Sequence, residues 1–359
     1  MAKRGKNTME NVVGLDLGTM NIVSAKQSRN NTLEVKNARN MFVSVDTTTI
    51  SLSEIENTDL EYLVQKDGDE EKIFIISEDS LKFSQIFGFN PQRPMSKGVI
   101  SQGEIDSIDV MTMIIKKLIG SCENKDGYCV YSVPATPVDN PNVKVLYHEK
   151  VFSRVLDSLG YKSKALNEAM GVIFSNCGAE KFSGIGISWG CGMTNCATSY
   201  RGINAFDFSI ARGGDWIDEQ VALATNTPVS RITGIKERKF NLLNPKKEAK
   251  NKKEEQILEA LSFYYRDLIE YVVKTFNKEF EKNSDGLDIE DAIPIVISGG
   301  TSRPEGFIDV FKELFESNSS FPYEISEIRS AKDPMSAVAE GNLTYAMWEK
   351  KKEEKSKES

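Results

Sequence analysis

The sequence predicts an α/β protein built from two copies of one unit. Near the start, VGLDLGTMNIVSA reads apolar-Gly-apolar-X-apolar-Gly, then a polar turn and a second strand, and IGISWGCGMTNCATS repeats that pattern. The offset is about 170 residues, near half the chain, which indicates a duplicated architecture with two glycine turns facing each other. Glycine turns also recur after apolar strands. Gly18-Thr19-Met20-Asn21, Gly190-Cys191-Gly192-Met193-Thr194 and Gly299-Gly300-Thr301-Ser302 are the three cases. Strand patterns alternate with strongly amphipathic helical ones, which completes the α/β reading.

In chain order, VVGLDLGTMNIVSAKQ reads as strand, tight turn, strand, and Asn30-Asn31 turns the chain into LEVKNA. Residues 40 to 92 mix short strands and loops with the acidic turn DGDEE, the pattern of a surface insertion. IDVMTMIIKKLIG has helical spacing, and GYCVYSVP is a buried strand ended by Pro134. Asp139 or Asn140 before Pro141 predicts a helix start, with the helix running through VLYHEKVFSRVLDSLG to Gly160. FSGIGISWGCGMTNCATSYRG repeats strand, turn, strand, and INAFDFSIARGG adds a third strand. Apolar residues at 257, 261, 264, 265, 268, 272 and 276 predict a long amphipathic helix after the charged stretch NPKKEAKNKKEEQ. AIPIVISGG is a strand, followed by a helix from about Pro304 to Phe315. After DPMSAVAEGNLTYAMW, the charged tail at 351–359 is expected to be disordered.

Bulk properties restrict the function classes. The chain of 359 residues carries a net charge of −8, with 40% hydrophobic and 27% charged residues. That charge argues against general attraction to nucleic acid or anionic lipid. No apolar run approaches the ~18 residues that span a bilayer. MAKRGKNTMEN is basic without an apolar core, so neither a signal peptide nor direct membrane insertion is expected. Five scattered cysteines without a CxxC pair, and a single histidine, His148, give little basis for a zinc site or a His-based nucleophile. Reduced thiols in a cytoplasmic protein are the expectation.

A glycine turn after a strand lets backbone N–H groups approach phosphate oxygens without an intervening Cβ. Three such turns, two of them in the repeat, point to a nucleotide. The ordered motifs resemble the actin-like ATPase superfamily of actins, sugar kinases and seventy-kilodalton heat-shock chaperones. GLDLGTMN is similar to its first phosphate loop and GISWGCGMTN to its second. Asn167-Glu168-Ala169 resembles the start of its connecting helix, VISGGTSRP its adenosine motif, and DPMSAVAEG its closing helix. RPMSKGVISQGEID, 93 to 106, resembles bacterial actins of the MreB and MamK kind. The absence of a lipid-binding N-terminus or apolar loop makes the soluble filament formers similar to MamK the better comparison.

The resemblance implies a duplicated actin-like (ribonuclease H-like) fold, with two lobes of mixed five-stranded sheets flanked by helices around a nucleotide cleft. Lobe I would be 11–165 plus 335–350, with the insertion at about 40–92. Lobe II would be 166–334, with an insertion at about 215–285. It implies ATP and Mg²⁺ as cofactors. Asp16 would hold waters around Mg²⁺, which prefers oxygen ligands and keeps several waters. Ser188 would reach the metal through water more weakly. Gly18, Thr19, Met20 and Asn21, with Gly190, Cys191, Gly192, Met193 and Thr194, would meet the phosphates. Glu168 would orient the attacking water. Gly213, Gly214 and Asp215 resemble the ribose loop; Lys236, Glu237 and Lys239 lie in the helix that flanks adenine. Gly299, Gly300, Thr301 and Arg303 complete the adenosine motif.

The second loop departs from the family pattern of Asp-apolar-Gly-Gly-Gly-Thr-Thr-acid. Its first acid is Ser188 and its last Asn195. Backbone cradling survives, whereas a serine bonds a metal-bound water about half as strongly as a carboxylate does. Slow hydrolysis is therefore expected. The leading functional expectation is an ATP-binding bacterial actin homologue that assembles with itself into cytoskeletal filaments under nucleotide control. The alternative is a chaperone-like or scaffold module that binds nucleotide without polymerising, with the charged 244–256 stretch as a partner site. A sugar or small-molecule kinase fits less well, because the moderate size leaves little room for a substrate pocket.

Overall fold

The computed structural model describes residues 11–28, 30–48, 50–67, 70–101, 106–124, 126–283, 289, 291–317 and 321–358. Parts of three segments read above, MAKRGKNTMEN, DGDEE and RPMSKGVISQGEID, lie outside the described residues. The chain divides into two units, one of residues 1–133, 144–165 and 342–359, the other of 134–143 and 166–341. Residues 134–143 and 335–341, expected with the first lobe, thus sit in the second unit.

In the first unit, β1 (Val12–Leu17), β2 (Asn21–Gln27) and β3 (Leu33–Arg39) form an antiparallel meander. Then β4 (Phe42–Asp46), α1 (Leu52–Glu56), β5 (Tyr62–Asp67), β6 (Glu70–Ile76) and α2 (Ser77–Phe87) build the insertion. This insertion is a three-stranded sheet, β4-β6-β5, with a core of its own around Val43, Val45, Ile55, Ile73, Ile75 and Phe83. A short hairpin follows, β7 (Met95–Ser96) and β8 (Val99–Ile100), then α3 (Ser107–Ile119), β9 (Gly127–Val133), α4 (Val145–Ser158) and β10 (Tyr161–Asn167). The main sheet has the order β10-β9-β1-β2-β3, with β1 and β9 parallel. The helix α3 buries Val110, Met111, Ile114, Ile115, Leu118 and Ile119, a helical i, i+4 stripe facing that sheet's core.

The second unit opens with α5 (Glu168–Asn176), then β11 (Gly184–Trp189), β12 (Thr194–Tyr200) and β13 (Ile203–Ile210). Next come α6 (Gly214–Thr225), α7 (Val229–Lys239), α8 (Lys252–Asn283), β14 (Ile293–Ser298), α9 (Phe307–Ser317), β15 (Ile325–Ser330) and the start of α10 (Ala337–Glu358), whose residues from 342 on belong to the first unit. The sheet order is β13-β12-β11-β14-β15, with β11, β14 and β15 parallel and β12 and β13 antiparallel. Strand for strand this repeats the first unit: β11, β12, β13, β14 and β15 stand where β1, β2, β3, β9 and β10 stand there. Every residue of β11 and β14 is buried, as expected of parallel strands covered on both faces. The 32-residue α8 buries Ile257, Leu261, Tyr265, Leu268, Val272 and Phe276 along one stripe.

Two expectations about elements are corrected, and two strands are added. The helix predicted from Asp139 or Asn140 begins at Val145. Asp139 does not cap it, because its carboxylate accepts from Ala211 N at 2.8 Å and from the Tyr271 hydroxyl at 3.1 Å. Those bonds, with Val138 N donating to Ser209 O at 2.9 Å, fasten 134–143 to the end of β13. Second, 351–358 is the last part of α10, not a disordered tail. Its Glu353 pairs with Lys162, and Lys350 just before it donates to Asp126 O at 3.0 Å. The added strands, β10 and β15, had no strand signal. Both are sheet edges, where one side meets water and the apolar alternation is diluted by charge.

His148 lies within α4, wholly buried against Phe152, with ring centroids 4.8 Å apart. Neither ring nitrogen finds a hydrogen-bond partner among the described residues. Burial pushes its pKa down to about 3 from the ordinary 6.5. Its stabilising contribution is therefore present above pH 6.5 and lost as pH falls towards 3, because the unfolded chain takes the proton first. Replacing His148 with phenylalanine keeps the ring packing and removes the titration. At pH 5 the variant should be more stable by about 2 kcal/mol, from 1.5 pH units at 1.36 kcal/mol each. Denaturant melts at pH 7 and pH 5 check this: the gap between the two proteins must widen on acidification.

Candidate functional site

In the first unit, the turn between β1 and β2 is built from backbone. A Cβ on Gly18 would lie 2.6 Å from Asn21 O, so only glycine closes the turn. Asn40 braces it, its side-chain amide donating to Gly18 O at 3.0 Å and its backbone N–H to Met20 O at 2.8 Å. Thr19 is buried, and its hydroxyl accepts from Gly98 N at 3.1 Å. Gly98 belongs to the segment that resembled the bacterial actins. Asp16 is half-buried at the end of β1. It faces Ser132 on the neighbouring β9, whose hydroxyl donates to Asp16 Oδ1 at 2.7 Å and accepts from Leu17 N at 2.9 Å.

Burial pushes the Asp16 carboxyl up to about 6 from 3.8, and the bond from Ser132 works against that rise. With a raised folded-state pKa, the favourable contribution is complete below about pH 4 and is lost as pH rises through 6. A charge at neutral pH thus costs the fold on the order of 3 kcal/mol. Asp16→Asn should raise the melting temperature of the nucleotide-free protein at pH 7 and leave it nearly unchanged at pH 4. Equal shifts at both pH values would contradict this assignment.

In the second unit, three predicted motifs meet at one carbonyl. Gly190 O accepts from Gly214 N at 3.1 Å and from the Thr301 hydroxyl at 2.9 Å. Around it, Gly190 N donates to Met193 O at 2.9 Å and Asp215 N to Cys191 O at 2.9 Å. The Cys191 thiol donates to Asp215 Oδ1 at 2.9 Å, and the Thr194 hydroxyl to Arg212 O at 2.9 Å. A Cβ on Gly213 would stand 2.5 Å from Gly190 O and Cys191 O, and one on Gly214 2.7 Å from the Thr301 hydroxyl. The glycines are required because the Gly190–Thr194 turn, the Gly213–Asp215 turn and the Gly299–Thr301 turn press against one another. Met193 is buried, so its side chain packs and only its backbone belongs to the loop. Gly192 is buried at the tip of the same turn.

Lys236 reaches this cluster from α7. Its ammonium pairs with the fully buried Asp218 at 2.8 Å and donates to Gly214 O at 3.1 Å. Burial works to lower the Lys236 pKa, but the charge of Asp218 outweighs it and holds the ammonium above its ordinary value. Asp218, which also accepts from the Thr233 hydroxyl at 2.7 Å, was not anticipated. Its signal was the i, i+3 spacing from Asp215 along α6. The other predicted members stand further out. Glu237 is exposed, Lys239 pairs with Glu254 at 3.2 Å, and Arg303 is exposed beyond the short 3₁₀ turn Gly300–Ser302.

Glu168 is the first residue of α5, and the Asn167 side chain caps that helix by accepting from Ala169 N at 2.8 Å. The Asn195 amide donates to Glu168 Oε2 at 2.8 Å. Ser188 lies opposite Ser298 on β14, as Asp16 lies beside Ser132 on β9. The duplication therefore preserves a serine on the partner strand in both units, with the acid present only in the first. For Mg²⁺ the donor set suits a cation held largely by phosphate and water. Asp16 is a single carboxylate, and among the described residues no group of three His, Cys, Asp or Glu could hold a metal. Among the described residues, no helix is long and apolar enough to cross a membrane.

No curated protein matches the sequence. Among solved structures, the chain is similar to MreB5 of Spiroplasma citri bound to ADP, at 15% identity and a TM-score of 0.64, over 96% of this chain and 98% of that one. It is similar to a subunit of the MamK double helical filament at 16% identity and a TM-score of 0.65, over 94% and 98% of the two chains. MreB5 of Spiroplasma citri bound to AMPPNP aligns at 14% identity and a TM-score of 0.63, over 96% and 98%. These similarities establish the actin-like two-sheet fold that the repeated strand order displays. Residues 11–346 match the Volactin family model, and the chain belongs to the Volactin family.

Proposed function

We propose that this chain binds ATP with Mg²⁺ through its glycine turns, assembles with itself into cytoskeletal filaments, and hydrolyses the nucleotide slowly. The observation that carries the proposal is the Gly190 carbonyl node, which holds the second phosphate loop, the ribose-type turn and the adenosine-type turn in fixed contact. Such a frame presents backbone N–H groups to phosphate without reorganisation, which favours binding. ADP-bound and AMPPNP-bound MreB5 and the MamK filament share the fold, and that supports both nucleotide binding and self-assembly.

Within this reading, Gly18, Thr19 and Asn21 cradle phosphate oxygens, and so do Gly190 through Thr194. Asp16 holds waters of the metal, and the Ser188 hydroxyl bonds one more weakly. Mg²⁺ when bound neutralises phosphate charge. Glu168, held by the Asn195 amide at the start of α5, orients the attacking water. With no acid at 188, electrostatic assistance is reduced and long-lived nucleotide-bound polymers follow. Sedimentation and electron microscopy with ATP, AMPPNP, ADP and no nucleotide test the assembly. Filaments that pellet with ATP or AMPPNP and recede with ADP are expected. A protein that stays monodisperse at high concentration with Mg·ATP would favour the non-polymerising binding module, for which the two missing acids are the argument.

A further inference from the structure

Four polar residues form one row across the second sheet. Ser298 on β14 pairs with Ser188 on β11, Ser188 with Asn195 on β12, and Asn195 with Ser209 on β13. Directly opposed residues share a face, so these side chains line up. All four are at most 4% exposed, between apolar neighbours such as Ile187, Trp189, Cys196 and Ile210. Buried polar groups are costly unless they are bonded, so a row of them needs a reason. At its β12–β13 end the row is a directed chain. The Ser209 hydroxyl donates to Asn195 Oδ1, and Asn195 Nδ2 donates to Glu168 Oε2.

The direction follows from chemistry. An ionised carboxylate only accepts, so the Asn195 NH₂ must face Glu168 and its oxygen must face away. A primary amide can turn over and present its oxygen instead, which would repel the carboxylate. The carboxylate sets the orientation, and the Ser209 hydroxyl holds it in place by donating to the amide oxygen on the far side. Its strand is fixed in turn by Val138 N, which donates to Ser209 O at 2.9 Å.

We propose that Ser209 is a positioning residue for nucleotide hydrolysis, acting through the Asn195 amide to hold the Glu168 carboxylate in its water-orienting place. The proposal rests on the hydrolytic role given to Glu168 above. It also gives the asparagine at 195 a function: an acid there would set two carboxylates face to face, whereas the amide donates.

Steady-state phosphate release from Mg·ATP by the full chain tests it. Ser209→Ala should lower kcat about tenfold with KM within about twofold of wild type, since small misplacements of a reacting group act on turnover. Ser209→Thr retains the hydroxyl and should restore most of the loss. In a Glu168→Gln background, Ser209→Ala should cause no further loss, because the two residues act as one unit. An unchanged kcat in Ser209→Ala, a rise in KM that accounts for the effect, or the same fold-loss in both backgrounds would overturn the proposal. Should Ser209→Ala fail to fold, Asn195→Leu serves instead: it keeps the shape and removes the link between Ser209 and Glu168 without adding a charge. A comparable kcat loss supports the proposal and a wild-type kcat overturns it. Wild-type turnover by Glu168→Gln, or no phosphate release by the wild type, would overturn the underlying role of Glu168 and the inference with it.

Discussion

Glu168→Gln is expected to lower phosphate release at least about 100-fold, the scale on which a positioned proton acceptor contributes. Nucleotide affinity should change little, because Glu168 belongs to α5 and not to a phosphate loop. The substitution preserves shape and removes only charge. The Asn195 amide, whose donor now meets a carboxylate at 2.8 Å, can still find the glutamine oxygen, so folding should be retained. Single-turnover phosphate release beside calorimetric binding separates the two effects. A variant that releases phosphate at the wild-type rate would remove Glu168 from the chemistry.

The largest structural effect is expected at Gly299, and its neighbour provides the control. Gly299 has φ of +96°, a region that side chains with a Cβ rarely adopt, and a Cβ there would overlap the Trp189 backbone carbonyl. Trp189 ends β11 and precedes Gly190, so relieving the overlap must displace the node on which the second loop, Gly214 and Thr301 converge. Gly299→Ala should therefore cost about 3 kcal/mol or more and lose nucleotide binding with it. Gly300 has neither problem: its nearest foreign atom would be Met335 Sδ at 3.4 Å, the end of a flexible side chain. Gly300→Ala should stay within about 0.5 kcal/mol of wild type. Denaturant melts with and without nucleotide decide this, and equal losses at the two positions would contradict the packing described.

Much of this fold is legible because its central strands are covered on both faces and end at glycine turns. VVGLDL and GIGISW could be matched by eye, and with them the duplication that the strand orders display. The long stripe of α8 was readable for the same reason, since its periodicity serves one core. What was lost lies where tertiary bonds override local signals. Asp139-Asn140-Pro141 looks like a helix start, yet Asp139 spends its carboxylate on Ala211 and Tyr271. β10 and β15 sit at sheet edges, and their lysines and glutamates hide the strand pattern.

The site divides in the same way. Glycines at 18, 190, 213, 214 and 299 were visible because close backbone approach leaves a compositional mark. Asp218, Ser132 and Ser209 were not, since each acts on a partner far away in sequence. Asp218 meets Lys236, Ser132 meets Asp16, and Ser209 meets Asn195 across strands. Lys236 was noticed for its helix, but its place on the Gly214 carbonyl could only come from packing.

Isothermal calorimetry of the full chain with Mg·ATP and Mg·GTP, paired with thermal melting, tests the central claim most directly. One nucleotide per chain should bind, with a melting temperature that rises with ligand concentration; at 100 times Kd the added stability is about 2.7 kcal/mol. No heat and no upward shift with either triphosphate would contradict the account.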